Sequence, residues 1–455
     1  MNYDNSAIRL VPGSDETELY VSWHSEKGKK ATLLFAESND LSNAVEYTPE
    51  VIPAEDDAYQ INRVVVKSIA ADTQYYYATT KDSEVSSETY AYHSRNPKKY
   101  SILFSTDVQL GAHDDFEKQI SLWNRTINTA IEKSPELNFI VHSGDQTTTG
   151  RVFKEWWGYY SPSALRSVPI FSVLGNHDRK GDTINYYTFY PNQYDMRFPS
   201  RPNLSDISVQ PVFGRDSWFR YGDVLYVHFD STCGSAGDHY KCAKEAVEKN
   251  PDVKWIVGAM HHDLYGSTSS AGMFESTFLF RHIYTPIFDK FGFDVILTGH
   301  SHCYGRSHQI YNRQIVEETK GAREVTDPVG TVYISGCCGG DLYDESIPRI
   351  PQYEWTAYRY EKFDNVSTVI SFDDTGDKCV MNVDTYECAT GEKVDSYQIT
   401  KTVRKRFGGS AVKDAVSKLQ FVGIRAASAV YMAVDTVYRF YQGKAAKKKN
   451  YTPHN

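Results

Sequence analysis

Five times in this chain, an apolar run that reads as a short buried strand ends in a loop rich in oxygen and nitrogen donors. Ile102–Phe104 precede Asp107-Val108-Gln109, and Phe139–Val141 precede Gly144-Asp145. Val168–Leu174 run into Gly175-Asn176-His177-Asp178, Trp255–Met260 into His261-His262, and Val295–Leu297 into Gly299-His300-Ser301-His302. Helical stretches alternate with these strands: Phe116–Lys133, Cys242–Asn250 and Phe278–Phe291. That alternation constrains the fold to a layered α/β domain with its functional groups at the carboxyl ends of the strands.

Taken singly, each segment has a plainer explanation. An Asp after a strand commonly caps a turn or helix, Gly-Asn and His-Asp are ordinary turn pairs, and His261-His262 reads equally as one buried and one exposed histidine. The order of all five is far more specific than any part. Asp, Gln, Asp, Asn, His and a His-x-His pair at adjacent strand ends read as one oxygen/nitrogen metal centre. Two divalent ions about 3.5–4 Å apart can clamp a phosphoryl group and activate water near neutral pH. Such a centre needs a carboxylate shared between the ions, and Asp145 is the natural bridge.

At 455 residues the chain is long enough for two or three domains. The first, residues 1–97, holds short alternating segments such as Leu19–Trp23, Thr32–Phe35, Arg63–Val66 and Gln74–Ala78, which predict a small antiparallel sandwich of six or seven strands. The polar, proline-broken stretch Ser94–Lys99 reads as the linker. Residues 98–401 form the α/β domain, closed by strands at Val366–Ser371, Cys379–Val383 and Ser396–Thr400. Residues 402–455 form a helical, basic extension: Ser410–Gln442 favours helix, Arg425, Asp435 and Arg439 interrupt any membrane-length apolar run, and Lys447–Lys449 follow. Packing of that helix on its own domain is favoured over contact with a membrane surface.

A net charge of −9 argues against a nucleic-acid partner, but not against an anionic small substrate, because bound cations would dominate the local field. Met1–Asn5 lack the basic and apolar regions of a signal peptide, so the expectation is a cytoplasmic protein, or an extracellular or cell-surface one whose leader has been removed. Seven cysteines fit neither a disulfide framework nor a zinc pattern. Cys233 with Cys242, and Cys379 with Cys388, are spaced to close small loops, though free thiols are favoured. The spacing leaves the oligomeric state open.

The five segments, in this order, resemble the motifs of the calcineurin-like metallophosphoesterase superfamily. Within it the chain is most similar to the purple acid phosphatase-like branch, through Gly299-His300-Ser301-His302-Cys303-Tyr304-Gly305-Arg306-Ser307 and an N-terminal region that looks like its fibronectin type III-like domain. The resemblance covers residues 15–401. It implies a four-layer α/β/β/α sandwich preceded by an all-β domain, and a dinuclear-metal hydrolase of phosphorylated small molecules. Of two divalent ions (Fe, Mn or Zn), one would be held by Asp107, Gln109, Asp145 and His302, the other by Asp145, Asn176, His261 and His300. His261 is preferred to His262 because Met260-His261-x-x-x-Tyr265 matches the family spacing. His177 would meet the phosphate and the leaving group, with Asp178 as its orienting partner, and Asn176 and Arg306 would contact substrate.

Two positions depart from the pattern. Thr148 stands where purple acid phosphatases carry the tyrosine whose phenolate binds Fe(III), and Gln109 where the wider superfamily has histidine. The alternatives are therefore a phosphodiesterase or nucleotide pyrophosphatase on the same site, or a non-catalytic binding protein that has kept the fold.

Overall fold

The computed structural model describes residues 8–54, 58–85, 87–179, 216–232, 236–268, 280–321, 323–343 and 349–402. The expected C-terminal helix at 410–442, Cys233, and most of the loops at 180–205 and 266–275 lie outside the described residues.

The N-terminal region forms two antiparallel sheets. One orders Arg9–Pro12, Leu19–Glu26, Tyr59–Val66 and Glu50–Pro53; the other is built on Ala31–Ala36 and Gln74–Lys81. Period-two alternation explains them: Leu19, Val21 and Trp23 point inward with Leu33, Phe35, Val64, Val66, Tyr75 and Tyr77 to make one core. Nine short strands take part where six or seven were expected, because the edge pieces Val45–Tyr47 and Glu84–Val85 carry too few apolar residues to be read from sequence.

The larger region stacks two seven-stranded sheets. The first runs Ile170–Ser172, Leu137–His142, Lys99–Ser105, Val366–Asp373, Cys379–Glu387, Lys393–Lys401, Glu324–Thr326. The second runs Ser217–Tyr221, Val224–Phe229, Trp255–Met260, Val295–Thr298, Val332–Ser335, Gly305–Ser307, Thr356–Arg359. Alternate residues face opposite layers. Ile102, Phe104, Phe139, Val141, Val257, Val295 and Leu297 fill the space between the sheets. Leu103 and Ile140 face outward onto Trp123, Ile127 and Trp156 of the helices Phe116–Lys133 and Phe153–Tyr160. Ile256 and Ile296 face outward onto Ala243, Ile283 and Phe288 of the helices Ala236–Lys249 and Arg281–Phe291. The result is the four-layer α/β/β/α sandwich with an all-β domain before it.

The three closing strands are not an appendage. Val366–Asp373 pairs antiparallel with Lys99–Ser105, whose other side pairs parallel with Leu137–His142, so the strand before Asp107 is central. The helix Phe153–Tyr160, which sequence did not reveal, packs between the two regions. The His24 ring lies 5.8 Å from Phe153 and 5.7 Å from Trp157, and Tyr77 Oη donates to the Arg166 carbonyl at 2.6 Å.

Candidate metal centre

Parallel strands leave their carboxyl ends along one edge, and short backbone bonds tie four of the loops together there in two pairs. Asp107 N donates to Gly144 O at 3.0 Å, Gln109 N to Asp145 O at 2.9 Å, and Gly299 N to His261 O at 2.9 Å. Asp107, Gln109, Asp145, His300 and His302 all adopt positive φ, between 48° and 70°. Non-glycine residues there cost roughly 1–3 kcal/mol each and persist only where the surroundings impose them. Three glycines allow the loops to close: a Cβ on Gly175 would lie 2.0 Å from Asp145 Oδ1, on Gly299 2.6 Å from Asp107 Oδ2, and on Gly144 2.6 Å from His261 Nδ1.

Each carboxylate fixes itself with one oxygen and turns the other inward. Asp107 Oδ2 accepts from Thr106 Oγ1 at 2.6 Å and His300 N at 2.9 Å, while Oδ1 lies 3.3 Å from His302 Nε2. Asp145 Oδ1 accepts from His177 N at 2.7 Å, while Oδ2 lies 3.2 Å from His261 Nε2. His261 Nδ1 meets the Ser143 carbonyl at 2.8 Å, which selects the tautomer with Nδ1 protonated and leaves the Nε2 lone pair facing the centre. Asn176 Oδ1 stands 3.0 Å from His261 Nε2 and 3.1 Å from His300 Nδ1.

These donors fit divalent cations. Ligand atoms about 2.0–2.2 Å from one ion lie roughly 3 Å from each other, which is the spacing around His261 Nε2. Asp107, Asp145 and His261 each bring one ligand atom within 4.8 Å of the others. Gln109 Oε1 is a buried acceptor with no hydrogen-bond donor among the described residues, a state costing about 1–3 kcal/mol unless a cation takes the lone pairs. The two carboxylates favour imidazolium charge on the neighbouring rings. Burial opposes it, yet Asp145 and Asp107 hold His261 up to about 10, and Asp107 raises His302. Those same histidines hold the two carboxyls below the usual range against the opposing effect of burial. His300, driven down by burial and by the charge on His261, lies at about 4. Ion uptake must displace the protons on His261 and His302.

His177 N is bound to Asp145, and its ring Nδ1 lies 3.1 Å from the Thr148 carbonyl. The expectation that Asp178 orients this ring is corrected. Asp178 is fully buried, Oδ2 accepts from Asp145 N and Gly175 N at 2.9 Å, and Oδ1 accepts from Thr147 N at 3.0 Å. It clamps two loops from beneath, and burial with the charge on Asp145 pushes it up to about 8. Thr148 Oγ1 donates to the Gln109 carbonyl at 2.9 Å, so the two departures from the family pattern are in contact.

Arg306 is also corrected as a substrate contact. It is 3 % exposed, its Nε and Nη2 bind the two Asp395 oxygens at 2.8 and 3.1 Å, and it lies 4.3 Å above the Tyr397 ring. Its spacing after the His-x-His pair reflects an ion pair that locks the strand Gly305–Ser307 to Lys393–Lys401. Arg306→Ala should therefore strand Asp395 and cost about 3–5 kcal/mol of stability, read by denaturant unfolding. A raised KM without loss of stability would return Arg306 to the substrate.

His113, close in sequence to Asp107, is half-exposed and 3.9 Å from Asp341 Oδ1. Cys379 and Cys388 are free, one at the start and the other just past the end of the strand Cys379–Glu387, about 30 Å apart at strand rise. Sequence reading missed Glu155, whose Oε2 accepts from Thr149 N at 2.8 Å beside the His177 loop. It also missed Ser231, Thr232 and Arg179. A sixth apolar run, Val224–Phe229, followed by Asp230-Ser231-Thr232, was the available signal for the first two.

Residues 100–304 match the calcineurin-like phosphoesterase family. The chain is 24% identical over 318 residues to purple acid phosphatase 23 of Arabidopsis thaliana, covering 62% of this chain and 63% of that protein. It is 23% identical over 321 residues to purple acid phosphatase 1 of Ipomoea batatas, covering 67% and 64%. It thus spans less than two thirds of the length of either relative. The structure of purple acid phosphatase PPD1 from Lupinus luteus seeds superposes with a TM-score of 0.69 at 16% identity, over 90% of this chain and 76% of that one. The chain thus carries a calcineurin-like phosphoesterase match over residues 100–304 and shares its fold with a purple acid phosphatase.

Proposed function

We propose that this protein hydrolyses phosphate monoesters of small molecules with a dinuclear divalent-metal centre. The observation that supports this reading best is the pair of half-used carboxylates, Asp107 and Asp145, each presenting one oxygen to a histidine nitrogen. Asp107, Asp145, Gln109 and His302 would hold one ion, and Asp145, Asn176, His261 and His300 the other. Ions bound there would draw electron density from the phosphoryl group and activate water near neutral pH. The chain's own groups supply the rest. Asp178 keeps the Asp145 and Asn176 loops in register, and the Thr148 carbonyl accepts from His177 Nδ1, so that Nε2 is left for the leaving oxygen and gives it a proton when the ring is imidazolium. The test is metal content together with phosphate release from an aryl phosphate. Turnover of a diester without turnover of its monoester would replace this reading with a phosphodiesterase, and tight metal binding without any turnover would replace it with a binding protein.

Gln109 makes the two positions unequal. A neutral amide oxygen is a weaker donor than imidazole, so the ion beside Asp107 and His302 should leave first on chelation and activity should return with excess divalent ion. Gln109→His should tighten that position and Gln109→Ala weaken it by about 10–100-fold, if its effect matches that of a residue supporting a ligand. With Thr148 in place of a phenolate, iron-loaded protein should also lack a strong visible band. Equal, tight occupancy of both positions in Gln109→Ala would show that the amide serves only the loop.

A further inference from the structure

A sixth strand end reaches the same place. Val224–Phe229 runs parallel to Trp255–Met260 and continues into Asp230-Ser231-Thr232. Ser231 Oγ lies 2.8 Å from His262 Nδ1 and accepts from His262 N at 3.0 Å, and the His262 ring lies 4.9 Å from that of His300. The next residue anchors an arginine: Arg179 Nη1 donates to the Thr232 carbonyl and to Thr232 Oγ1, both at 2.9 Å. Arg179 follows His177 by two residues, yet the two reach opposite ways. His177 turns to Thr148 in the loop after Leu137–His142, and Arg179 to Thr232 in the loop after Val224–Phe229. They flank Asn176.

The anchor has a long buried support. Thr232 N and Oγ1 both bind Asp230 Oδ1, the first at 3.0 Å. Asp230 N donates to Asp216 Oδ1 at 2.9 Å, Asp216 Oδ2 lies 2.6 Å from His239 Nδ1, and His239 Nε2 lies 3.0 Å from Tyr284 Oη. Asp216, Asp230, His239 and Tyr284 are all fully buried. Apolar residues could fill that space, whereas a connected polar chain fixes one geometry at its end. It ties the guanidinium of Arg179 to the helices Ala236–Lys249 and Arg281–Phe291.

We propose that Arg179 is the specificity-determining cation of the site and holds a second anionic group that the substrate carries close to its scissile phosphate. The inference rests on the phosphoesterase reading above. The scissile group would be met by the cations at Asp107, Asp145 and the histidines, whereas Arg179 is anchored on Thr232, the neighbour of the Ser231 that meets the His262 ring beside His300. A planar guanidinium suits a carboxylate or a phosphate equally.

The test uses the metal-loaded full chain with Arg179→Gln and Thr232→Val. Substrates are phenyl phosphate, 2-carboxyphenyl phosphate and pyrophosphate, and calorimetry compares binding of orthophosphate and pyrophosphate. For Arg179→Gln, kcat/KM should fall about 10- to 100-fold more on the doubly anionic substrates than on phenyl phosphate, the loss expected for one charge-assisted hydrogen bond. Pyrophosphate affinity should fall relative to orthophosphate affinity by a similar ratio. Thr232→Val, which removes only the anchoring hydroxyl, should shift both ratios the same way but less. A selective loss confined to pyrophosphate makes the second group a phosphate; one confined to 2-carboxyphenyl phosphate makes it a carboxylate. Equal losses on all substrates and both ligands would overturn the proposal. A parent protein that turns over none of the substrates would sink the phosphoesterase reading alone, because the ratio of the two affinities still reads Arg179.

Discussion

Asp145→Asn should lower kcat/KM by about 10³ or more, since it removes the carboxylate on which both proposed ions depend and with it several kcal/mol of charge stabilisation. Asp145 is the residue for which no neighbour can substitute. Its Oδ2 lies 3.2 Å from His261 Nε2, and its charge acts on His261, His300 and His302 together. The substitution is suited to the test because an amide oxygen can still accept from His177 N, preserving the loop contact now made by Oδ1. Metal content after desalting should fall well below two ions per chain, with the circular dichroism of the parent retained. Two retained ions with parental turnover would mean that the carboxylate is a loop clamp, as Asp178 is.

His177→Ala should leave metal content nearly intact and lower kcat by roughly 10²–10⁴ on esters with poor leaving groups. Its backbone N–H holds Asp145, and that bond survives any side-chain change, so the ring is separable from the metal donors. The effect should shrink on nitrophenyl phosphate, whose leaving group needs little protonation. An equal loss on good and poor leaving groups would assign the ring to phosphate binding, and no loss on either would remove it from the reaction.

The elements that sequence revealed are those whose signal is local. Phe116–Lys133 is legible as a helix because Trp123, Ile127 and Ala130 recur on one face, and the apolar runs before the five loops are buried throughout. What sequence obscured depends on partners distant in the chain. Nothing near Arg306 announces Asp395, and nothing near Asp178 announces the amides of Asp145 and Thr147. A carboxylate that clamps backbone and one that faces an ion look alike until the loops are brought together. The helix Phe153–Tyr160 went unseen because eight residues, several of them aromatic, give no clear period. The part of the sixth strand end, Asp230-Ser231-Thr232, is to position His262 and Arg179, partners that its own residues do not announce.

The central place of Lys99–Ser105 also governs the order in which the molecule can be completed. Ile102 pairs on one side with Phe139, soon after it in the chain, and on the other with Ile370. During synthesis the first side can form early, but the second waits until nearly the whole α/β region has emerged from the ribosome. Until then the strand that carries Asp107 has an open edge, a template for pairing with another nascent chain, and Asp107 lacks the support that imposes its positive φ. The reactive end of the protein is therefore among the last parts to become rigid, although five of its six strand ends reach their first polar residue before residue 262.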